Sequence, residues 1–494
     1  MTLPLLLVFV TLHLMATAQI NPGADDIYNP DVVARIEVNM TTEDKEFLLD
    51  DKNVANRDYL PVDVRFVNAK IDETVSGAGI RLRGNTSRGH PKRSFKIKFT
   101  EFEGGEKFHG YKKFNLKAEN NDPSLLREHL SLQLYREANV PAARSHHVEV
   151  YINGEYMGLY LNVEQIDDEF ADTRYGSEKG NLYKCSWGAS LEMSNDVYDN
   201  ELFKLETNKD VNDRSILENF IETLNTSSGS QFKSEIEAIL NVENAIRFLA
   251  VEALIGHWDG YSYNQNNFYI LENPDNDKIE LIPYDLDNTF GINWIPNDWA
   301  THDLMNWANE LEERPLHNRL LAVDEFRELY VKTLWDLMAG VFTEASLFPE
   351  MDRLQDMLSE FVKNDTYYPK TFGFDHDDFL NSLDKEVVRH CPYGLKPYVT
   401  TRIGAAKEQL PVINSVNGLV IADFKIYPNP SPGDFIFLEG ISDSDIPHIE
   451  VFSSSGKRIP AIIYLNGRVE FAVLPNPGMY VLTSPRGSAR FVVN

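Results

Sequence analysis

The sequence predicts an α+β protein: a mixed body of strands and helices followed by a small all-β module. Three observations carry this. Short alternating runs and hairpin turns fill the first third of the chain. Residues 215–253 and 310–407 turn to helical periodicity. Beyond residue 412 the chain breaks into short strand-like runs with turn signals every ~8–12 residues, the texture of a β-sandwich.

The elements follow in order. Residues 32–38 alternate like a strand, and Thr41 and Thr42 open a short helix reaching about Asp51. Strands are expected at 59–68, 79–83 and 94–99. Asp122 followed by Pro123 reads as N-cap and first residue of a helix over 123–138, with Leu125, Leu126, Leu130, Leu132 and Leu134 as its core side chains. Residues 147–151 and 156–163 flank Asn153-Gly154, the strongest short hairpin signal. The helical stretch 215–253 breaks near Ser227-Ser228-Gly229. A second hairpin pairs 266–272 with 278–283 across Asn273-Pro-Asp-Asn-Asp277. Strands in the tail fall at 435–438, 448–452, 468–472, 479–482 and 489–493. The expected division is therefore 1–18, a leader at 19–29, a main domain at 30–412, a linker at 413–423 and a β-sandwich at 424–494.

Composition narrows the function classes. The 494 residues carry 47 Lys and Arg against 76 Asp and Glu, a net charge of −29. So acidic a surface excludes a broad nucleic-acid face and docking on an anionic leaflet. A hydrophobic share of 43% excludes wholesale disorder. The apolar run from Leu3 through Met15, ending in Ala16-Thr17-Ala18, reads as a secretory signal peptide that lacks the usual basic start. No other stretch reaches the ~18 apolar residues that span a bilayer. The expectation is an exported monomer with no transmembrane anchor. Cys185 and Cys391 are too few for a disulfide scaffold or a thiolate zinc site. A bridge between them and two free thiols both fit their spacing.

Chemistry concentrates in two places. Between Arg81 and Lys98 lie Arg81, Arg83, Arg88, Lys92, Arg93, Lys96 and Lys98, with no acidic residue. Arg83-Gly-Asn-Thr-Ser-Arg-Gly89 forms a glycine-punctuated turn between two strands. Amide donors and cationic side chains converging there suit a polyphosphate; the bland alternative is a solvated basic hairpin. The second place is His257-Trp-Asp259-Gly-Tyr-Ser-Tyr-Asn264-Gln-Asn266-Asn267, before the second hairpin, with Tyr284-Asp285-Leu-Asp287-Asn-Thr-Phe-Gly291 after it. The hairpin returns the chain on itself and gathers Asp259, Asn264, Asn266, Asn267, Asp285 and Asp287 at its open end. Clustered carboxylates and carboxamides suit a hard cation such as Mg²⁺. An acid, an amide five residues on, a hairpin and a second acid is also the order of a protein-kinase active site. Hydrogen-bonded turn residues are the bland reading. Asp375-His-Asp-Asp378 reads as an exposed acidic loop, and His146-His147 as structural.

Over roughly residues 30 to 410 the chain resembles the spore-coat protein H (CotH) kinase family. The matching stretches are Gly79-Ile-Arg-Leu-Arg-Gly-Asn-Thr-Ser87, Arg93-Ser-Phe-Lys-Ile-Lys-Phe99, Phe114-Asn-Leu-Lys-Ala118, Asp122-Pro-Ser-Leu-Leu-Arg127, Val150-Tyr-Ile-Asn-Gly-Glu-Tyr-Met-Gly-Leu-Tyr160, Glu164-Gln-Ile-Asp167 and Gly180-Asn-Leu-Tyr-Lys184, with the two acidic motifs. The resemblance implies an atypical protein-kinase-like two-lobe fold that uses ATP and Mg²⁺ (or Mn²⁺) on protein hydroxyls. It implies Asp259 as catalytic acid/base and Asp285 or Asp287 as principal metal ligand, assisted by Asn264 or Asn267. Lys96 or Lys98 would be the phosphate-binding strand lysine, Arg83 would lie in the phosphate-covering hairpin, and Glu164 and Gln165 would form a hinge by the adenine. Trp258 stands where kinases carry Arg, and Leu286-Asp287 replaces Phe-Gly, which puts activation-loop control in doubt. In the tail, Ile426-Tyr-Pro-Asn-Pro430, Val451-Phe-Ser-Ser-Ser-Gly-Lys457 and Leu474-Pro-Asn-Pro-Gly-Met-Tyr-Val481 resemble the C-terminal sorting domain of the type IX secretion system. The expected function is an exported Ser/Thr kinase acting on a protein at or beyond the cell surface. A non-catalytic surface adhesin on the same scaffold is the alternative.

Overall fold

The computed structural model describes residues 20–411 apart from 178, and then 425–428, 431, 435–439, 446, 449–453, 458–464, 467–471, 478–484 and 487–493. The segment 1–18 and the linker 413–423 lie outside the described residues. The chain divides into two compact units, Met1–Leu410 and Pro411–Asn494. Among the described residues no helix is long and apolar enough to cross a membrane.

The first unit begins with a closed barrel of β1 (Ala34–Asn39), β2 (Leu60–Val67), β3 (Asp72–Arg83), β4 (Ser94–Lys98), β5 (Lys113–Lys117), β6 (Ser145–Ile152) and β7 (Glu155–Glu164). The strand order is β1-β2-β3-β4-β5-β7-β6, closed by parallel pairing of β1 with β6. Strand alternation decides what faces where. Ile80, Leu82, Phe95, Ile97, Phe114 and Leu116 fill the interior. Their neighbours Arg81, Arg83, Lys96, Lys98, Lys113 and Lys117 therefore project outward from three adjacent strands. The β6–β7 hairpin turns at Asn153 (φ 50°) and Gly154 (φ 80°), the left-handed pair its Asn-Gly sequence favours.

Helix α1 (Thr42–Leu49) is capped by the Thr41 hydroxyl. Helix α2 (Arg127–Glu137) lies between β5 and β6, and α3 (Asp168–Tyr175) follows β7. A second sheet holds β8 (Leu182–Cys185), β9 (Phe203–Leu205), β10 (Phe268–Glu272) and β11 (Ile279–Pro283) in the order β11-β10-β8-β9. Packed with it are α4 (Ser215–Thr226), α5 (Gly229–Ile239), α6 (Val242–Ile255) and the single turn α7 (Tyr261–Asn264). The remaining helices are α8 (Pro315–Leu321), α9 (Asp324–Ala339), α10 (Glu344–Lys363), α11 (Pro369–Phe372), α12 (His376–Asn381) and α13 (Leu395–Gln409). One large apolar core runs through all of them.

Two expectations are corrected, and one left open is settled. α2 starts at Arg127 rather than at Pro123, because Leu125 takes a left-handed φ of 57°. Asp122 still acts as a cap: its carboxylate accepts from the backbone N–H of Ser124, Leu126 and Arg127. β3 begins at Asp72, well before Gly79, with a bulge in its pairing to β2 between Val62 and Val64. Cys185 and Cys391 are separate buried thiols with no bridge. His146 and His147 are fully buried, and Asp375 and Asp378 form a capping box on α12.

The second unit is two four-stranded sheets. One is β12 (Lys425–Tyr427), β13 (Phe435–Glu439), β17 (Arg468–Phe471) and β16 (Ala461–Ile463); the other is β15 (Arg458–Ile459), β14 (Glu450–Ser453), β18 (Gly478–Ser484) and β19 (Gly487–Val493). Ile436, Leu438 and Val469 from the first share a core with Val451, Leu482 and Phe491 from the second.

Candidate functional site

The site is built on the β10–β11 hairpin. Phe268 pairs with Pro283, and the Tyr284 N–H donates to the Asn267 carbonyl, so Asn267 lies against Tyr284 and the register runs on to Asn266 and Asp285 at the open end. The loop carrying Asp259 leaves α6 through Gly256, whose φ of 68° ends the helix. Buried Glu252 of α6 anchors that loop by accepting from the Ser262 N–H and hydroxyl. A Cβ on Gly260 would lie 2.1 Å from Glu252 Oε1, so only glycine lets the loop pass this close.

Asp259 is encircled by amides. Its carboxylate accepts from Asn264 Nδ2 at 2.5 Å, Asn267 Nδ2 at 3.0 Å and Asn288 Nδ2 at 3.2 Å. Burial raises its pKa, and the Asn264 donor opposes that shift. Gln265, Asn267 and Asp285 all hold left-handed φ, between 53° and 56°. For residues with a side chain this costs of order 1–3 kcal/mol each and clusters at functional sites.

Lys117, which sequence reasoning did not single out, occupies the centre. Projecting outward beside interior Leu116, its Nζ lies 2.5 Å from Asp285 Oδ1 and also donates to Glu128 in the first turn of α2. Burial alone would push the Lys117 pKa down, but Asp285, Glu128 and Glu119 hold it well above the usual value. Burial raises the Asp285 carboxyl, and Lys117 with Arg83 overcomes this and holds it well below the carboxylate range. Asp287 goes the other way, pushed up to about 8 by burial and by Asp285, Glu128 and Asp259. The signal that could have found Lys117 is its place in the Phe114-Asn-Leu-Lys alternation, one strand along from the basic hairpin. Asn288 was missed as well.

The basic run divides by use. Arg83 donates to the Tyr284 hydroxyl at 3.0 Å, beside Asp285. Lys96 donates to Gln165 Oε1 at 2.6 Å; burial and then Lys113, Arg83 and Arg81 push its pKa well below the usual value. Lys98 pairs with Glu101 and lines the mouth of a cleft of about 690 Å³ with Tyr59, Lys112, Lys113, Asp168 and Glu206. Lys92 is spent on a buried pair with Asp365, Arg93 on Asp51, and Arg88 on the carbonyls of Asn56 and Leu82. Glu164 is spent too: Arg144 and Arg174 grip its carboxylate and, against burial, hold its pKa down to about 2. Of the two expected hinge residues, Gln165 alone reaches the cationic face.

The donor set fits a hard divalent cation. The carbonyl oxygens of Asn264 and Asn267 accept nothing from the protein among the described residues, since both amides turn their nitrogens to Asp259. No side chain among the described residues hydrogen-bonds Asp287. Oxygens of this kind, close to further carboxylates, are the ligands Mg²⁺ and Mn²⁺ take.

The chain is 25% identical over 321 residues to the inner spore coat protein H of Bacillus subtilis, covering 64% of this chain and 84% of that protein. It is 24% identical over 242 residues to invasin CotH7 of Rhizopus delemar, covering 47% of this chain and 40% of the invasin. Over 255 residues it is 25% identical to spore coat protein homolog 1 of the same fungus, covering 41% of that protein. Residues 80–401, which include every side chain of the site, match the CotH kinase protein family, and the chain belongs to it.

Proposed function

We propose that the first unit is an atypical protein kinase that transfers the γ-phosphoryl group of ATP to a Ser or Thr hydroxyl of an extracytoplasmic protein. One observation carries the reading: the Lys117 ammonium is held between Glu128 of a helix and Asp285 after the hairpin. A strand lysine paired with a helix glutamate, beside a metal-binding aspartate, is the arrangement phosphoryl transfer needs. In this reading the barrel, with its own apolar core, forms one lobe, and the second sheet with its helices, whose core also takes in α2, forms the other.

ATP and Mg²⁺ (or Mn²⁺) supply the transferred group and neutralise its oxygens. Lys117, Arg83 and Lys96 bind phosphate oxygens, and Glu128 keeps Lys117 aimed. Asp285 and Asp287, with Asn264 and Asn267, would hold the metal. Asp259 orients the acceptor hydroxyl and takes its proton as its oxygen bonds the γ-phosphorus and the bond to the β,γ-bridging oxygen breaks, releasing ADP. Its raised pKa suits a general base. Trp258 stacks on Trp299 and donates to the Ile292 carbonyl, so no cation waits there for a phosphorylated loop. The ion-paired set is complete in the unphosphorylated chain, which supports activity without an activating modification.

The tail motifs support export by the type IX route, with the substrate at or beyond the cell surface. A second reading, surface binding without catalysis, is favoured by the invasin relatives and by Trp187, 72% exposed beyond β8. Incubation with γ-labelled ATP and Mn²⁺ beside Asp259→Ala separates the two. Transfer or self-labelling that the variant abolishes supports the kinase. No transfer and no nucleotide-dependent thermal shift in the native chain supports the binding reading.

A further inference from the structure

Glu119 sits on the turn that leaves β5, two residues beyond Lys117. It is 5% exposed, and neither carboxylate oxygen has a hydrogen-bond partner. Lys117 is 3.8 Å away, beyond hydrogen-bond reach, with two of its three protons given to Glu128 and Asp285. The charges acting most strongly on Glu119 are Glu128, Lys117 and Asp287. Asp122 is not part of this group, since Arg127 and Ser124 satisfy it.

The charge count of the cluster is incomplete. Glu119, Glu128, Asp259, Asp285 and Asp287 bring five carboxylates, while Lys117, Arg83 and Lys184 are the cations that act on them. With all of them counted as ionised, five against three leaves two negative charges, the charge of one divalent ion. An unmatched buried carboxylate is among the costliest groups to keep, and cation coordination is one way to satisfy it. Glu119 and Asp287 are the two members that no side chain among the described residues hydrogen-bonds.

We propose that Glu119 and Asp287 hold a divalent cation of the hard, oxygen-loving class, Mg²⁺ or Mn²⁺, that the chain binds before and independently of nucleotide. The inference rests on the kinase reading only for the location of the cleft. It adds a ligand, Glu119, that lies outside both acidic motifs. It gives Asp287 a place between the two sites, beside Asp285 at the nucleotide's metal and beside Glu119 at this cation, while Asp285 stays paired with Lys117.

The test is a Mn²⁺ titration of the nucleotide-free full chain, followed by the electron paramagnetic resonance signal of free Mn²⁺. The native chain is expected to take up one Mn²⁺ without nucleotide. Glu119→Gln is expected to weaken that uptake at least tenfold, and Glu119→Asp to weaken it less. Circular dichroism and thermal unfolding in chelator show whether each variant folds; should Glu119→Gln fail, Glu119→Asp and the Mn²⁺-dependent thermal shift of the native chain give the answer. No uptake by the native chain, or equal uptake by native and Glu119→Gln, overturns the proposal whatever label transfer shows. Weakened uptake in a chain that transfers no phosphate leaves the cation site standing and sinks only the kinase reading.

Discussion

Lys117 Nζ lies 2.5 Å from the Asp285 carboxylate across a separation of 168 residues. The contact joins the last residue of a barrel strand to the segment after the β10–β11 hairpin, and Glu128 fixes the same ammonium from α2. It is where barrel, helix and second sheet meet, and it sets the charge state of the site.

Lys117→Met leaves Glu128 without its cation in a nearly dry position. Removing one partner of a buried pair costs about 3–5 kcal/mol, so the urea midpoint falls and label transfer is lost. Lys96→Met is the contrast, because Lys96 is a desolvated cation whose partner is the neutral Gln165 amide. Its midpoint stays level or rises while nucleotide binding weakens. Parallel urea curves and nucleotide thermal shifts on the two variants check both halves.

Lys92 and Asp365 form an ion pair whose side chains are 2% and 0% exposed. Lys92 also donates to the Leu159 carbonyl, and Asp365 accepts the Leu159 N–H. The pair fastens the basic hairpin to the segment after α10, far from any proposed reacting atom. Lys92→Met is expected to lower stability by about 3–5 kcal/mol, read as a lower urea midpoint at unchanged slope. An unchanged midpoint contradicts a structural role.

Glu252 gives the fold a pH dependence. Burial raises its pKa to about 7, against the Ser262 hydrogen bonds that lower it, from a model-compound 4.5. Between those values the native state binds more protons than the unfolded chain, so this group's stabilisation is full below pH 4.5 and declines as pH rises toward 7. The decline amounts to about 3 kcal/mol. Glu252→Gln removes it. Urea unfolding at pH 5 and pH 8 should show native stability falling more between the two than that of the variant.

Much of the fold was legible because its signals were local. Asn153-Gly154 turned where its φ preference demanded, and the second hairpin closed in the register Phe268–Pro283 that leads Asn266 toward Asp285. Asp259 with Asn264 was legible from spacing alone. The failures came where tertiary partners decide. Lys117 has the same outward strand position as Lys98, and only the arrival of Glu128 and Asp285 makes one a buried linchpin and the other a surface pair with Glu101. Glu164 follows a strand as a hinge residue should, but Arg144 and Arg174, neither close in sequence, claim its carboxylate. Leu125 held a left-handed turn that no propensity scale assigns to leucine, because Asp122 and Arg127 close the loop around it.

The central claim is γ-phosphoryl transfer from ATP in the Lys117–Asp285 cleft. Its most direct test is to incubate the full chain and a Ser/Thr-rich acceptor with Mn²⁺ and ATP labelled at either the γ or the α position. Label from the γ position should appear on protein hydroxyls, with α label recovered only as ADP, and Asp259→Ala should abolish the transfer. Protein carrying α label, or unlabelled protein in both arms, would contradict the claim.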